Sequence, residues 1–412
     1  MNKITYPPKS ELLKEIENSK LQKALNVNTH IHTPYSFSAF NSILEAVTLA
    51  AKENVNVLGI NDFFVTDGHS EFADLCIQSK IFPLFNIEFI GLNKVDQENG
   101  IKVNDPNNPG RTYISGKGLA FAKRESSQNK ELLETFKHES QLQIFAMIEK
   151  LNDLINKNCG NFKITSDEIY QKYAKSLIRE RHLAKILRIK VSEIYTNEIE
   201  QIKFFTDLFG GKAPLVELNN IADFENEIRE KLLKSGGPAF VEENEKAFPN
   251  LDFIKKYIID AGGIPTYPFF GDDAKGNVTK FEENKEMLAL ILKQRGFYSV
   301  EFISNRNSLK WLSDYALYFY NNGFTVTFGT EHNTPVISSM VSACRDYALS
   351  EELMEINYKG ACVIAAHQYY TTLGETGYID NAGKAQIDRR GEFEQMGNAL
   401  IRRFIDKYLA LV

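Results

Sequence analysis

Cysteine is scarce in this 412-residue chain: Cys76, Cys159, Cys344 and Cys362 are the whole complement, and no two stand in C-x-x-C spacing. Neither a zinc knuckle nor a disulfide framework is therefore indicated, and reduced thiols of the cytoplasmic kind are the expectation. No run of about 18 apolar residues occurs, and the opening MNKITYPPKSELLKEIENSK lacks the apolar centre of a secretory signal. A protein without membrane spans is expected. Excess charge of one sign is missing too, since 48 Lys and Arg face 54 Asp and Glu for a formal net charge of -6. Broad attraction to nucleic acid or to an acidic membrane is not expected, although a local basic pocket is still allowed. Histidine numbers only seven, so the position of each carries weight.

What is present is ordinary globular composition, 43% hydrophobic and 25% charged, in a chain long enough to bury a large core. The length admits two or three domains, or one barrel of about 250 residues with insertions. From Asn26 onward, short strand-like runs alternate with amphipathic helices, the pattern of a βα-repeating fold with a largely parallel sheet. NSILEAVTLAAKENV carries Ile43, Val47, Ala50 and Ala51 on one helical face, with Asn41 as its cap. NVLGIND and IFPLFNIEFIGL read as strands. The latter contains one charge, Glu88, which is costly in an apolar run unless something positive meets it. NKVDQENGIKVNDPNNPGR reads as a polar loop, and residues 126–234 as mainly helical. IPTYP, GFYSVEFI and GFTVTFGTEH are further strands, and the last 75 or so residues read as added helices.

His30 and His32 stand two apart in NVNTHIHTPYSFSAF. On a strand they share a face, so they can converge on one ion or simply line a core wall. Their neighbours sharpen the choice. His30, His32, Asp62, Glu88, Tyr267, Glu331 and His332 all fall at the C-terminal ends of predicted strands, which in a (β/α) barrel form one mouth. Two imidazoles and two carboxylates suit Zn, Mn or Fe, and an ion there explains a charged Glu88.

The order of these motifs resembles the PHP family, the polymerase and histidinol phosphatase domain. Its opening D-x-H-x-H-T-x-x-S-D is similar to VNTHIHTPYSF, its G-I-T-D-H-D to GINDFF, and its Glu motif to FNIEF. Further on, IRERHLAKIL, GGPAFVEEN, DAGGIPTYP and GTEHN follow the family order to about Pro335. The resemblance implies a distorted (β/α)7 TIM-like barrel over 26–335; the chain's own pattern adds a helical lead (1–25), a mainly helical insertion (126–234) and a helical extension (336–412). The resemblance also implies that His30, His32, Glu88 and Glu331 wrap one metal. Phe37, Phe63, Tyr113, Tyr267 and Asn333 stand where the family places ligands of a second and third metal, so a single ion is expected.

Roles for the remaining residues stay paired with duller ones. Asp62 is a general base or orients a ligand. His332 is catalytic or packs. Tyr267 and Tyr113 donate to a substrate oxyanion or fill the volume of lost histidines. Arg179, Arg181 and His182 hold a phosphate or carboxylate, or form a solvated helix face. Arg306 is an anion hook, while His69, His138 and His367 are structural. The resulting expectation is a metal-dependent hydrolase acting on a small anionic substrate, by resemblance a phosphoester. Alternatives are a single-metal amide, lactone or ester hydrolase or an isomerase, and a non-catalytic PHP-like scaffold; a polymerase accessory role has no attached polymerase domain to support it.

Overall fold

The computed structural model describes residues 6–18, 23–121, 126–158 and 160–409; Cys159 lies outside the described residues. Among the described residues, eight strands form two sheets. The first is parallel, in the order β1 (Val27–Ile31), β2 (Val57–Ile60), β3 (Phe82–Phe85). The second runs β4 (Ile87–Leu92), β5 (Arg111–Lys117), β6 (Ile264–Phe269), β7 (Ser299–Ile303), β8 (Thr325–Gly329). Within it β5 is antiparallel to both neighbours, whereas β6, β7 and β8 are parallel.

A closed barrel is not what the ladders build. The two sheets remain separate and touch through single bridges, Ile31 with Glu331 and Phe63 with Glu88. At the first bridge His32 N donates to Glu331 O (2.7 Å) and Glu331 N to His30 O (2.9 Å); at the second Glu88 N donates to Asp62 O (3.0 Å). The strand ends that carry the chemistry are thus stitched together even though the ladders do not close.

IFPLFNIEFIGL, which reads as one strand, is two. Asn86 breaks it: its Nδ2 donates to Thr29 O (3.0 Å), its Oδ1 accepts from Gly118 N (3.0 Å), and its own N donates to Ile60 O (3.0 Å). A side-chain amide supplies here what a continuing ladder would have supplied. Room for it exists because residue 59 is glycine; a Cβ there would lie 2.4 Å from Thr29 O and 2.6 Å from Asn86 Nδ2.

The helices preceding β6 are α1 (Lys9–Asn18), α2 (Ile43–Lys52), α3 (His69–Gln78), α4 (Lys94–Glu98), α5 (Ser127–Lys157), α6 (Ser166–Lys172), α7 (Glu180–Ile194), α8 (Glu198–Leu208), α9 (Ile221–Ile228) and α10 (Leu251–Asp260). After it come α11 (Lys285–Gln294), α12 (Leu309–Asn321), α13 (Glu351–Thr372) and α14 (Arg390–Leu409). The cap of α2 is Ser42 rather than Asn41, its hydroxyl accepting from Glu45 N, and Ala46 takes the buried place expected of Ala51. The polar loop contains α4, capped by Asn93.

Among the described residues, three apolar clusters hold these layers. One fills the space between the sheets and α2, α3 and α10–α12. A second lies under α13 and α14 against β1, β2 and β3. The third, from Ile144 to Ala239, belongs to the helices between β5 and β6. Among the described residues no helix is long and apolar enough to cross a membrane.

Candidate metal centre

His30 and His32 lie on β1 and just beyond it, Glu88 near the start of β4, and all three are buried. Their free atoms meet. His30 Nε2 is 3.2 Å from His32 Nε2 and 3.5 Å from Glu88 Oε2, which is 3.2 Å from His32 Nε2. A tetrahedron with bonds of about 2.0–2.1 Å, the zinc–nitrogen range, has edges of about 3.3 Å. Glu88 Oε2 is buried with no hydrogen-bond partner, an orphan that a cation would satisfy. The donor set therefore fits a divalent ion, and these three residues form a group that can hold one.

Both rings are turned by what grips their other nitrogen. His30 Nδ1 donates to Glu301 Oε2 at 3.0 Å, because a carboxylate can only accept. His32 Nδ1 meets Ser36 Oγ at 3.3 Å, and that hydroxyl donates onward to Asp62 Oδ1 at 2.6 Å. Each arrangement leaves Nε2 pointing at Glu88, the orientation a metal-binding histidine needs. Glu301 is itself anchored by the ammonium of Lys117 and by Ser115 Oγ (3.2 Å). Lys117 and Glu301 are both inaccessible to solvent.

Burial alone would lower the His30 pKa, but the carboxylates of Glu301 and Glu88 together outweigh it and lift the ring to about 9. Burial would likewise raise Glu88; the two histidines hold it down to about 2. Burial pulls Lys117 below its ordinary value, while Lys117 and His30 overcome burial at Glu301 and keep it below the carboxylate range.

The other sequence candidates fall in several places. Asp62 accepts from Thr33 N (2.7 Å), Thr33 Oγ1 (2.5 Å) and Ser36 Oγ, the hydroxyl that also meets His32. Glu331 is not in the three-residue group: its carboxylate is paired with Arg306, the residue expected to hook an anion. Both Glu331 and His332 have positive φ, 60° and 55°, an uncommon turn for two side-chain-bearing residues. His332 spends its ring on Thr330 Oγ1 (2.8 Å) and on Ser338 O (3.0 Å), a packing role.

Tyr267 is turned away. Glu88, Ser115 and Thr266 are register partners across β4, β5 and β6 and share a face, so Tyr267 lies on the opposite one. Its ring packs on Phe269, Phe281 and Phe297, and its hydroxyl donates to Glu282 (2.8 Å). Tyr113, two residues before Ser115, shares the Glu88 face. Its phenol is raised by burial and by nearby carboxylates that include Glu88 and Glu331.

His182 is buried, its Nδ1 accepting from Arg179 N (2.9 Å) to close the first turn of α7. Burial depresses it to about 3, so it is neutral and committed to the helix. The two arginines beside it are differently placed. Arg179 lies over one side of the Phe63 ring, 5.0 Å from its centroid, while the same ring stacks on His32 at 4.8 Å. Arg181 reaches Asn226 Oδ1 (3.1 Å), and burial together with Arg229 lowers it to about 10. His69 bonds Asn86 O and His367 bonds Gly262 O, each at 3.0 Å; His138 is exposed on α5.

Sequence reasoning missed Glu301, Lys117, Ser36 and Ser115. Glu301 carried the signal that marked Glu88, a single charge in the apolar strand GFYSVEFI, and Lys117 is the only charge in TYISGKG.

No protein-family model and no curated protein matches the sequence. Solved structures do. A protein from Bifidobacterium adolescentis, provisionally assigned as a metal-dependent phosphoesterase, superposes with a TM-score of 0.53 at 12% identity, covering 81% of this chain and 95% of that one. An amidohydrolase from Chromobacterium violaceum, solved with sulfate and no metal, gives a TM-score of 0.49 at 16% identity over 77% of this chain and 90% of that one. The first likeness defines the class as a fold: a mixed α/β architecture shared with that protein, here carrying a buried His-His-Glu group.

Proposed function

We propose that this chain is a divergent PHP-type hydrolase whose two sheets are a distorted barrel left open, and that it cleaves a small anionic ester, first of all a phosphoester. The observation that carries the reading is the buried triangle of His30 Nε2, His32 Nε2 and the orphaned Glu88 Oε2. A single Zn, Mn or Fe ion held there would supply Lewis acidity and an activated water. The chain's own part is to hold three donors in place through Glu301 and the Ser36–Asp62 relay. Arg179 and Arg181 bring positive charge to the same mouth, and forked guanidinium groups suit phosphate or carboxylate. Tyr113 stands on the face of Glu88 and can donate to a substrate oxygen. The Arg306–Glu331 ion pair is part of the rim.

A second reading is single-metal cleavage of an amide or lactone. It is favoured by one observation: among the described residues no second group of three His, Cys, Asp or Glu donors gathers, so the two-ion clamp of many phosphoesterases has no visible ligands. Metal analysis of the purified protein beside His30→Ala and Glu88→Gln, followed by a screen of phosphoesters, lactones and amides, tests both. One ion per chain, lost in both variants, with turnover that Arg179→Ala weakens through KM, supports the first reading. Turnover confined to neutral amides or lactones supports the second. No metal after reconstitution and no turnover would leave a binding scaffold.

A further inference from the structure

The arginines at the mouth differ in what already neutralises them. Arg179 lies over the Phe63 ring and Arg181 donates to Asn226 Oδ1 (3.1 Å); among the described residues neither has a carboxylate partner at ion-pair distance. Arg306 is different, because Glu331 holds its guanidinium. The two partners follow the neighbouring parallel strands β7 and β8. They are unequally placed: the Arg306 side chain is 44% exposed and that of Glu331 11%, so an outward cation covers an anion seated in the wall.

Neither backbone is loose. Glu331 is pinned from both sides, its N donating to His30 O (2.9 Å) and its O accepting from His32 N (2.7 Å). It shares with His332 a left-handed backbone, φ 60° and 55°, that side-chain-bearing residues rarely adopt in succession. Strain of this kind gathers where a fold presents a side chain for use. Arg306 O accepts from the Arg345 guanidinium, which also donates to Asp272 O (3.1 Å) and Asp272 Oδ2 (3.2 Å). What can change at this place is therefore the pairing of the side chains. A partly exposed ion pair is weak enough for an incoming anion to exchange with it. The carboxylate that gives up Arg306 is not stranded, because it also lies in the field of Arg181.

We propose that Glu331 is an internal competitor for Arg306: its carboxylate occupies the guanidinium that an anionic substrate takes over on binding. The inference rests on the anionic-substrate reading above and deepens it. Arg179 and Arg181 stand open, Arg306 exchanges partners, and Glu331 sets how strongly an anion must bind before all three arginines engage it. The residue that motif order makes a metal ligand acts on the substrate instead.

The test is binding of inorganic phosphate, measured by titration calorimetry on the metal-loaded protein, for Glu331→Gln, Arg306→Ala, the double variant and Arg179→Ala, with metal content determined for each. Glu331→Gln should keep its metal and bind phosphate about two- to fivefold more tightly, the range set by releasing a partly exposed pair. Arg306→Ala should bind it about threefold or more weakly. The double variant separates competition from simple repulsion. If Glu331 merely repelled anions, its removal would help at least as much without Arg306, because the carboxylate then stands unneutralised. Under competition the gain shrinks once Arg306 is gone. Unchanged binding by Glu331→Gln, an equal gain in the Arg306→Ala background, unaltered binding by Arg306→Ala, or loss of metal from Glu331→Gln would each overturn the proposal. The anionic-substrate reading survives any of these while Arg179→Ala weakens phosphate binding; binding of phosphate by none of the proteins would overturn both.

Discussion

Replacing Glu301 by Met separates two jobs that this carboxylate performs. In stability terms it neutralises Lys117, and both groups are wholly buried. Met keeps nearly the same length and removes the charge, leaving the ammonium with only Thr29 O at 3.1 Å. Breaking a buried pair from one side costs about 3–5 kcal/mol, because a charge is stranded in the interior. Adding Lys117→Met removes the stranded charge as well, so the double variant should recover most of that loss. In metal-binding terms Glu301 accepts from His30 Nδ1, and loss of such a partner weakens metal affinity by about 10–100-fold. Lys117→Met cannot restore that acceptor. The expected pattern in urea denaturation and chelator competition is therefore split: stability falls and returns across the cycle, whereas affinity falls and stays down. If affinity returned with stability in the double variant, Glu301 would act on the metal site only through general folding. A loss below about 1 kcal/mol in Glu301→Met would show that the pair is not desolvated as described.

Glu282 should make stability depend on pH. It accepts from Tyr267, Phe270 N and Gly271 N, yet burial lifts its pKa from 4.5 to about 7. Because the folded value is the raised one, the stabilisation is present below pH 4.5 and lost as pH rises through 7; between pH 5 and 8 it amounts to about 2.5 kcal/mol. Glu282→Ala should lack that portion, so equal pH slopes for the two proteins would refute the assignment. Asn86→Ala strands Gly118 N in the interior and leaves Thr29 O with Lys117 as its donor, so it should cost about 1–3 kcal/mol in denaturant unfolding; no measurable loss would mean that the joint does not depend on the amide. Phe63→Leu removes the ring beneath Arg179 and should weaken binding of an inhibitory anion such as phosphate about two- to fivefold, with metal content retained. Unchanged phosphate inhibition would remove Arg179 from the binding surface.

The His-x-His spacing and the isolated charge of Glu88 pointed to the three residues that the structure gathers, because strand alternation and the cost of a buried carboxylate are local properties. Pairings across the chain were less legible. Glu331 looked like a ligand by motif order, but its carboxylate is taken by Arg306, 25 residues earlier, which follows β7 just as Glu331 follows the parallel β8. Tyr267 was one residue out of phase with the face that matters, and register against β5 decides that. Hydrophobic patterning could not show that a run of apolar residues changes sheets at Asn86, since the bonds that make the change come from Thr29 and Gly118. His182 sat in the right motif and became a helix cap, its nitrogen drawn to the nearest backbone donor.

The helices between β5 and β6 pack around an apolar cluster of their own. Arg181 is braced there by Asn226, Arg229 by Glu180 and Arg188 by Glu225, all ties between α7 and the α9 region. His30, His32 and Glu88, by contrast, hang from β1, the residue just beyond it, and β4. Substitutions that retune the arginines can therefore accumulate in one cluster without disturbing the other. Under the proposed function, exchanging the segment between β5 and β6 for one of different charge would redirect which molecules are admitted while the His30–His32–Glu88 group stayed as it was, so new specificities would be open to this fold through one contiguous stretch of chain.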